Sequence, residues 1–168
     1  MRLLRILSSV GAGLLALSGA AAAQHTHGYF FAGASTIPGR QLYTYWHGNY
    51  LHLGGGGQAG LAQRFTLGGE GGALISTAEF YGRNAAILSF GPGFHFFRGS
   101  ERKFDPFVSR GVSLLAGRGV GGMWYYAGGI NYWFRSHLGL RMEYRDHVWS
   151  PEGTNLHFVG ARVGLCFR

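Results

Sequence analysis

The sequence predicts an all-β protein, an eight-stranded antiparallel up-and-down transmembrane β-barrel, and three observations carry this prediction. Apolar residues alternate with small or polar residues at period two, and helix-period patterns are absent after residue 23. Glycine supplies 31 of the 168 residues, while charged residues supply only 13%, which is about half their share in an ordinary soluble domain. No continuous apolar run after residue 23 reaches the length of a membrane-spanning helix.

The N-terminal residues have the layout of a secretory signal peptide. A short basic segment with Arg2 and Arg5 is followed by an apolar segment, and three alanines precede Gln24 as a small-residue cleavage site. We therefore expect residues 1–23 to be cleaved after export. Residues 24–168 then form a single domain, the outer-membrane β-barrel domain.

Period-two stretches separated by glycine-rich or polar breaks predict the strands. The eight predicted strands cover residues 28–35, 49–58, 64–75, 84–97, 107–116, 123–134, 138–148 and 155–167. In most of them one face is large and apolar, and the other consists of glycine, small polar residues and an occasional charge. The fifth strand is the exception, since either register leaves Ser109 or Arg110 on the apolar side. A bulge in that strand would restore the alternation.

The direction of the two faces follows from what each would present to its surroundings. With the apolar faces inside, a soluble barrel would have an outer surface made mostly of glycine. With the apolar faces outside, large side chains such as Leu140 and Met142 contact lipid, while Arg141 and Glu143 lie in the lumen. Closure of the barrel also removes the unpaired strand edges that lipid could not satisfy.

The aromatic residues predict two girdles at the two membrane interfaces. The outer girdle consists of Trp46, Tyr50, Tyr81, Trp124, Tyr126 and Trp149. The inner girdle consists of Phe65, Phe96, Phe97, Phe107, Trp133, Phe134 and Phe167. Here the first strand is taken to run outward from the periplasm, so both chain ends lie at the periplasmic side.

The last strand resembles the C-terminal assembly signal of bacterial outer-membrane β-barrels. In that signal a glycine is followed by alternating hydrophobic residues and a terminal Phe, a pattern matched by Gly160, Val163, Leu165 and Phe167, with Arg168 one residue beyond. The signal peptide, the eight strands and this ending together resemble small barrels of the OmpA/OmpX type. The resemblance implies residence in the bacterial outer membrane and insertion by the barrel-insertion machinery, and it implies no activity.

Five charged residues fall on inward faces of the predicted strands and form a candidate interior cluster. They are Glu70, Arg141, Glu143, Arg145 and Arg162. An eight-stranded barrel is just wide enough for side chains to fill it, and buried charges are costly unless they are paired. This favours a structural ion-pair plug. The alternative is a narrow gated pore, for which the many inward glycines leave room.

Three arginines, Arg40, Arg83 and Arg118, each fall in a different outward loop. Arginine suits bidentate contacts to phosphate, and the outer leaflet of such a membrane is rich in lipopolysaccharide phosphates. We therefore expect either a collar that contacts lipid phosphates or ordinary solvated loop charges.

A third functional hypothesis is enzymatic. His147, Ser150 and Glu152 lie at the outer end of strand seven and in its loop, and a His–Ser–acid group can activate a serine nucleophile. The segment is similar in placement to the site of the outer-membrane lipid A 3-O-deacylases, which have a His-x-Ser near the same strand. The spacing here is His147-x-x-Ser150, which places the two side chains on opposite faces of a strand.

Other function classes have little support. The full chain carries a net charge of +8, but it has no Lys/Arg run, so we expect no nucleic-acid partner. No metal-ligand or nucleotide signature is present, and we expect no cofactor. The sequence therefore predicts a monomeric outer-membrane barrel with a structural or lipid-contacting role, with the pore second and the deacylase third.

Overall fold

The computed structural model describes residues 26–37, 49–77, 84–97, 102–117, 120–150 and 155–168. Eight antiparallel strands pair in chain order and close into a barrel, with β8 hydrogen-bonded to β1. The strands are β1 (His27–Thr36), β2 (Asn49–Gly60), β3 (Phe65–Ser76), β4 (Ala85–His95), β5 (Phe104–Ala116), β6 (Val120–Trp133), β7 (Leu138–Trp149) and β8 (Leu156–Phe167). The described residues contain no helix long and apolar enough to cross a membrane.

The predicted fold class and strand order are confirmed, and two strands begin earlier than the sequence suggested. β5 begins at Phe104 rather than at residue 107, and β6 begins at Val120 rather than at residue 123. Pro106 and the glycines after Val120 are poor strand formers, so the alternation near them did not indicate a strand. We call the end that holds His27 and Phe167 the inner end of the barrel.

The bulge considered for the fifth strand is not present, because β5 keeps one register with each of its neighbours, although its pairing with β4 is interrupted at Gly91 and Pro92. The register with β4 is the same from the Ala86–Ala116 pair to the His95–Phe107 pair, and the register with β6 is continuous as well. Ser109 therefore faces the lumen, and Arg110 is exposed on the outer face. The alternation of β5 is kept at the cost of one outward charge.

Large apolar side chains cover the outside of the barrel, and polar side chains fill its inside. Exposed outward residues include Phe30, Leu53, Leu88, Phe90, Val112, Met142, Val163 and Leu165. Buried polar residues include His52, Glu70, Ser89, Asn131, Arg141 and Arg162. This inversion is typical of a barrel that is surrounded by lipid.

The structure corrects part of the predicted girdles. Tyr50, Phe107 and Trp133 are buried in the lumen, and none of them is more than 5% exposed. Their position along the strands indicated an interface, but the alternation turns these side chains inward. Trp124 and Tyr126 do face outward, but because β6 begins at Val120, Tyr126 lies in the middle of the strand rather than at its outer end. Trp46 and Tyr81 lie outside the described residues.

Two apolar layers close the lumen at different heights. Tyr50, Leu74, Ile87 and Met123 form a buried cluster in the outer half of the barrel. A second cluster toward the inner end consists of Tyr29, Phe31, Trp133 and Cys166. Rings of the second cluster lie directly beside charged residues of the lumen, since the guanidinium groups of Arg141 and Arg162 are 4.5 and 4.0 Å from the ring centroids of Tyr29 and Phe31.

The lipid-facing role of the outer surface predicts the effect of a charge placed there. Met142 is 45% exposed near the middle of β7, between Ile130 and Val163 of the neighbouring strands. An arginine near the bilayer midplane of such a barrel costs roughly 2–4 kcal/mol, so we expect Met142→Arg to lower the free energy of unfolding by about that amount. The measurement is a denaturant titration of the barrel folded in phospholipid vesicles, read by heat-modifiable gel migration.

Met142→Leu is the matched control, since this swap nearly conserves volume and apolar character and costs less than about 1.5 kcal/mol. Equal stability of the Arg and Leu variants would show that this face does not contact lipid.

Candidate functional site

A network of five charged side chains crosses the lumen. We call Glu70, Arg141, Glu143, Arg145 and Arg162 the lumenal cluster; none of them is more than 5% exposed. Glu70 comes from β3, Arg162 from β8, and the other three from alternate positions of β7. Period-two alternation points all three β7 side chains inward.

Glu70 is the acceptor that ties opposite walls of the barrel together. Arg145 donates from Nη1 to Oε1 at 2.6 Å and from Nη2 to Oε2 at 3.0 Å. Arg162 makes the same two contacts at 2.7 and 3.1 Å. The Tyr29 hydroxyl donates to Oε2 at 3.0 Å. One carboxylate thus holds two guanidinium groups in bidentate geometry, which is the strong form of this ion pair.

Glu143 completes the network on the β7–β8 side. Arg141 donates to its Oε2 from Nε at 3.1 Å and from Nη2 at 2.7 Å. Arg145 donates from Nε to Oε1 at 2.8 Å, and Arg162 donates from Nη2 to the same oxygen. The remaining Arg141 donor Nη1 reaches the Asn131 side-chain oxygen at 3.1 Å. Each carboxylate therefore binds more than one arginine, which offsets the desolvation of the charges.

Aromatic rings cover the guanidinium groups from the sides. The Arg162 guanidinium lies 4.0 Å from the Phe31 ring centroid, and that of Arg145 lies 4.2 Å from the centroid of Tyr125. Arg141 lies 3.8 Å from the centroid of Phe107. Such cation–π contacts strengthen when they are desolvated. The sequence interpretation missed these partners, although the inward parity of Phe31 and Tyr125 was a signal that could have found them.

Inward glycines make room for the long charged side chains. A Cβ at Gly56 would lie 2.6 Å from the Cβ of Glu70, and a Cβ at Gly33 would lie 2.9 Å from Cγ of Arg162. A cavity bordered by Glu70, Ser89 and Arg145 among others has a volume of about 10 Å³, which is room for about one water molecule. The lumen of the described barrel is therefore packed rather than open.

A second polar chain extends the network toward the inner end. His95 contacts Asp105 through Nδ1 at 2.8 Å and Gln58 through Nε2 at 2.9 Å. Asn131 donates to Asp105 at 3.2 Å and, through its oxygen, connects this chain to Arg141. Sequence reasoning missed Asp105 because it lay before the predicted start of the fifth strand.

The hydrolase candidates are not brought together. His147 is 2% exposed and lies in the lumen, between the rings of Tyr125 and Phe158. Ser150 is exposed, and its hydroxyl donates to the Asn155 side chain at 2.6 Å. Glu152 lies outside the described residues. The strand geometry separates His147 from Ser150, as the spacing between them required.

The other predicted site residues fall in two groups. Arg40, Arg83 and Arg118 lie outside the described residues. Val163, Leu165 and Phe167 are exposed on the outer face of β8, and Gly160 stands opposite Ser35 of β1 where the barrel closes.

Solved structures with the same eight-stranded arrangement identify the fold. The N-terminal β-barrel domain of OprF from Pseudomonas aeruginosa matches with a TM-score of 0.59 at 15% identity, over 86% of this chain and 99% of that one. Neisserial surface protein A matches with a TM-score of 0.66 at 9% identity, over 84% and 94%. The chain has the fold of the small bacterial outer-membrane β-barrels. The outer membrane protein OprG of P. aeruginosa also shares it, with a TM-score of 0.58 at 10% identity over 86% and 96%.

These identities show the shared fold alone. No protein-family profile matches the chain, and no curated protein sequence matches it. The resemblance to OmpA/OmpX-type barrels is thus confirmed for the eight-stranded architecture, and the residues of the lumen have to be interpreted from their own geometry.

The double bidentate contact of Glu70 predicts a large effect of its removal. Glu70→Ala leaves two buried guanidinium groups without this acceptor, and breaking a buried ion pair costs about 3–5 kcal/mol. We expect the free energy of unfolding in phospholipid vesicles to fall by that amount.

Ser89→Ala is the control on the same inner surface. Ser89 shares a 2.8 Å hydrogen bond with Ser113, and losing one neutral hydrogen bond costs about 1 kcal/mol, or up to 3 if its partner stays unsatisfied. A Glu70→Ala variant as stable as Ser89→Ala would contradict a stabilising role of the lumenal cluster.

Proposed function

We propose that this protein is a closed, non-conducting barrel of the bacterial outer membrane with a structural, lipid-contacting role. The observation that carries the proposal is the position of Glu70, which binds Arg145 and Arg162 from the opposite wall. A conducting pathway along the lumen would have to separate these charges in a site of low dielectric, where their attraction is strong.

Two further features support the proposal. Two buried apolar clusters occupy further space inside the barrel. The exposed apolar surface and the outer-membrane origin of the structural neighbours favour residence in that membrane. The apolar outer positions of β8, with Phe167 near the chain end, fit a segment read by the barrel-insertion machinery.

The pore alternative is separated from this proposal by a conductance measurement. We expect the purified protein to give no discrete openings in planar lipid bilayers, because the lumenal cluster and both apolar layers fill the interior. A general porin serves as the positive control, and gel migration before heating verifies that the inserted protein is folded. Reproducible discrete openings from folded protein would reject the closed barrel in favour of the narrow gated pore.

The lipid-contacting part of the proposal rests on Arg40, Arg83 and Arg118 in the predicted outward loops. Each cation near an anionic membrane surface contributes about 1 kcal/mol. We therefore expect the triple Ala variant to co-purify with at least about tenfold less lipopolysaccharide per folded barrel.

The matched control replaces three exposed arginines of the inner turns, Arg64, Arg102 and Arg135, by Ala. Equal loss of lipopolysaccharide from both triple variants would show that only the overall charge matters. If neither variant loses lipopolysaccharide, the proposed contact with lipid phosphates is rejected. We propose no hydrolase function, since His147 is buried in the lumen while Ser150, just beyond the end of β7, is exposed and bound to Asn155.

A further inference from the structure

Arg110 stands out on the outer face of the barrel. It is the central residue of β5 and is exposed between Val108 and Val112, which are 45% and 44% exposed. Among the described residues no side chain forms a hydrogen bond or an ion pair with its guanidinium group. Ionisable residues at membrane depth are rare and usually paired, so Arg110 lacks the partner that this environment demands.

The same face carries an acid whose pairing is incomplete. Asp146 points outward from β7, and its Oδ2 contacts Nδ1 of His157 at 2.7 Å. Its Oδ1 is covered by neighbouring atoms and accepts no hydrogen bond from the described residues. The Asp146 side chain as a whole is 25% exposed. Its negative charge can therefore attract a cation from outside the barrel.

The cross-strand register places these two residues symmetrically about β6. Arg110 of β5 pairs with Tyr126 of β6, and Tyr126 in turn pairs with Asp146 of β7. The cation and the anion thus lie on the two sides of one exposed tyrosine. The strand between them separates them by about two interstrand spacings, or about 10 Å, with the Tyr126 side chain in the way.

We propose that this face, formed by the outer sides of β5, β6 and β7, binds a second copy of the chain about a two-fold axis along the membrane normal. An axis in front of β6 turns Arg110 of each copy toward Asp146 of the other and brings the two Tyr126 rings together. Because the strands of such barrels are tilted by about 35–45°, the two residues differ in height by about 6 Å, which the long arginine side chain has to span. A two-fold contact is self-complementary, and a surface with one cation and one anion on either side of its axis meets that requirement.

The surface around the charges suits such a contact. Trp124, Tyr126 and Tyr144 are each more than half exposed and lie together on β6 and β7. Aromatic side chains are the residues enriched at protein interfaces. A lipid phosphate is a weaker partner for Arg110, since the phosphates lie at the bilayer surface and Arg110 lies in the middle of its strand.

Cysteine cross-linking in the intact outer membrane tests the axis. We expect Tyr126→Cys to form a disulfide-linked dimer on mild oxidation. Leu53→Cys, an exposed lipid-facing position of β2 on the opposite side of the barrel, is expected to stay monomeric. The native Cys166 is buried and does not interfere. Equal cross-linking of the two variants, or none at Tyr126→Cys, would overturn the proposal.

Charge variants in the Tyr126→Cys background test the ion pairs. We expect Arg110→Leu to lower the cross-linked fraction about tenfold or more, since truncating one member of a buried interfacial charge pair weakens association at least that much. Arg110→Leu removes a charge from the lipid face, so it is expected to keep the barrel folded, and heat-modifiable migration checks this. An unchanged cross-linked fraction would reject Arg110 as an interface residue.

Charge reversal separates a direct contact from a general effect. Arg110→Asp alone and Asp146→Arg alone set like charges against each other across the axis, so both are expected to lose the dimer. The double variant restores opposite charges and is expected to recover it. Failure of the double variant to recover while it migrates as a folded barrel would reject the pairing of these two residues.

Discussion

The pairing of charge in a lumen without room for bulk water is the constraint on which the rest of this structure depends. Three arginines and two glutamates share a space that aromatic rings line from the sides. Such a group is stable only if every charge has a partner at hydrogen-bond distance. Glu70 lies on β3, and its partners Arg145 and Arg162 lie on β7 and β8. The ion pairs therefore form only when the barrel closes and brings these two walls to contact distance. The closed barrel and its charges therefore stabilise one another.

The same constraint explains the composition of the inner wall. Long arginine side chains need space, and inward glycines such as Gly33 and Gly56 provide it where a Cβ would collide with Arg162 or Glu70. The aromatic rings of Phe31, Tyr125 and Phe107 then fill the gaps beside the guanidinium groups. High glycine content and inward aromatics are two parts of one packing solution.

The outer face obeys the opposite rule, because its surroundings offer no partner for charge. Almost all outward positions near the middle of the described strands are apolar, glycine or alanine. Arg110 and Asp146 depart from the rule on one side of the barrel only. Charged residues that are confined to one side of the outer face are expected where that side contacts protein rather than lipid.

The sequence by itself determined the strand number, the closed barrel and the inversion of its faces, because alternation is a local property that each strand carries alone. It also identified all five members of the lumenal cluster as inward residues. Only the tertiary structure decided which of these side chains contact each other. Glu70 contacts partners that are 75 and 92 residues away in the sequence. These side chains come together only because the register of every strand between them is fixed. The outward position of Arg110 was decided in the same way, since continuous pairing with β6 and an unchanged register with β4 on both sides of Arg110 left no room for a bulge.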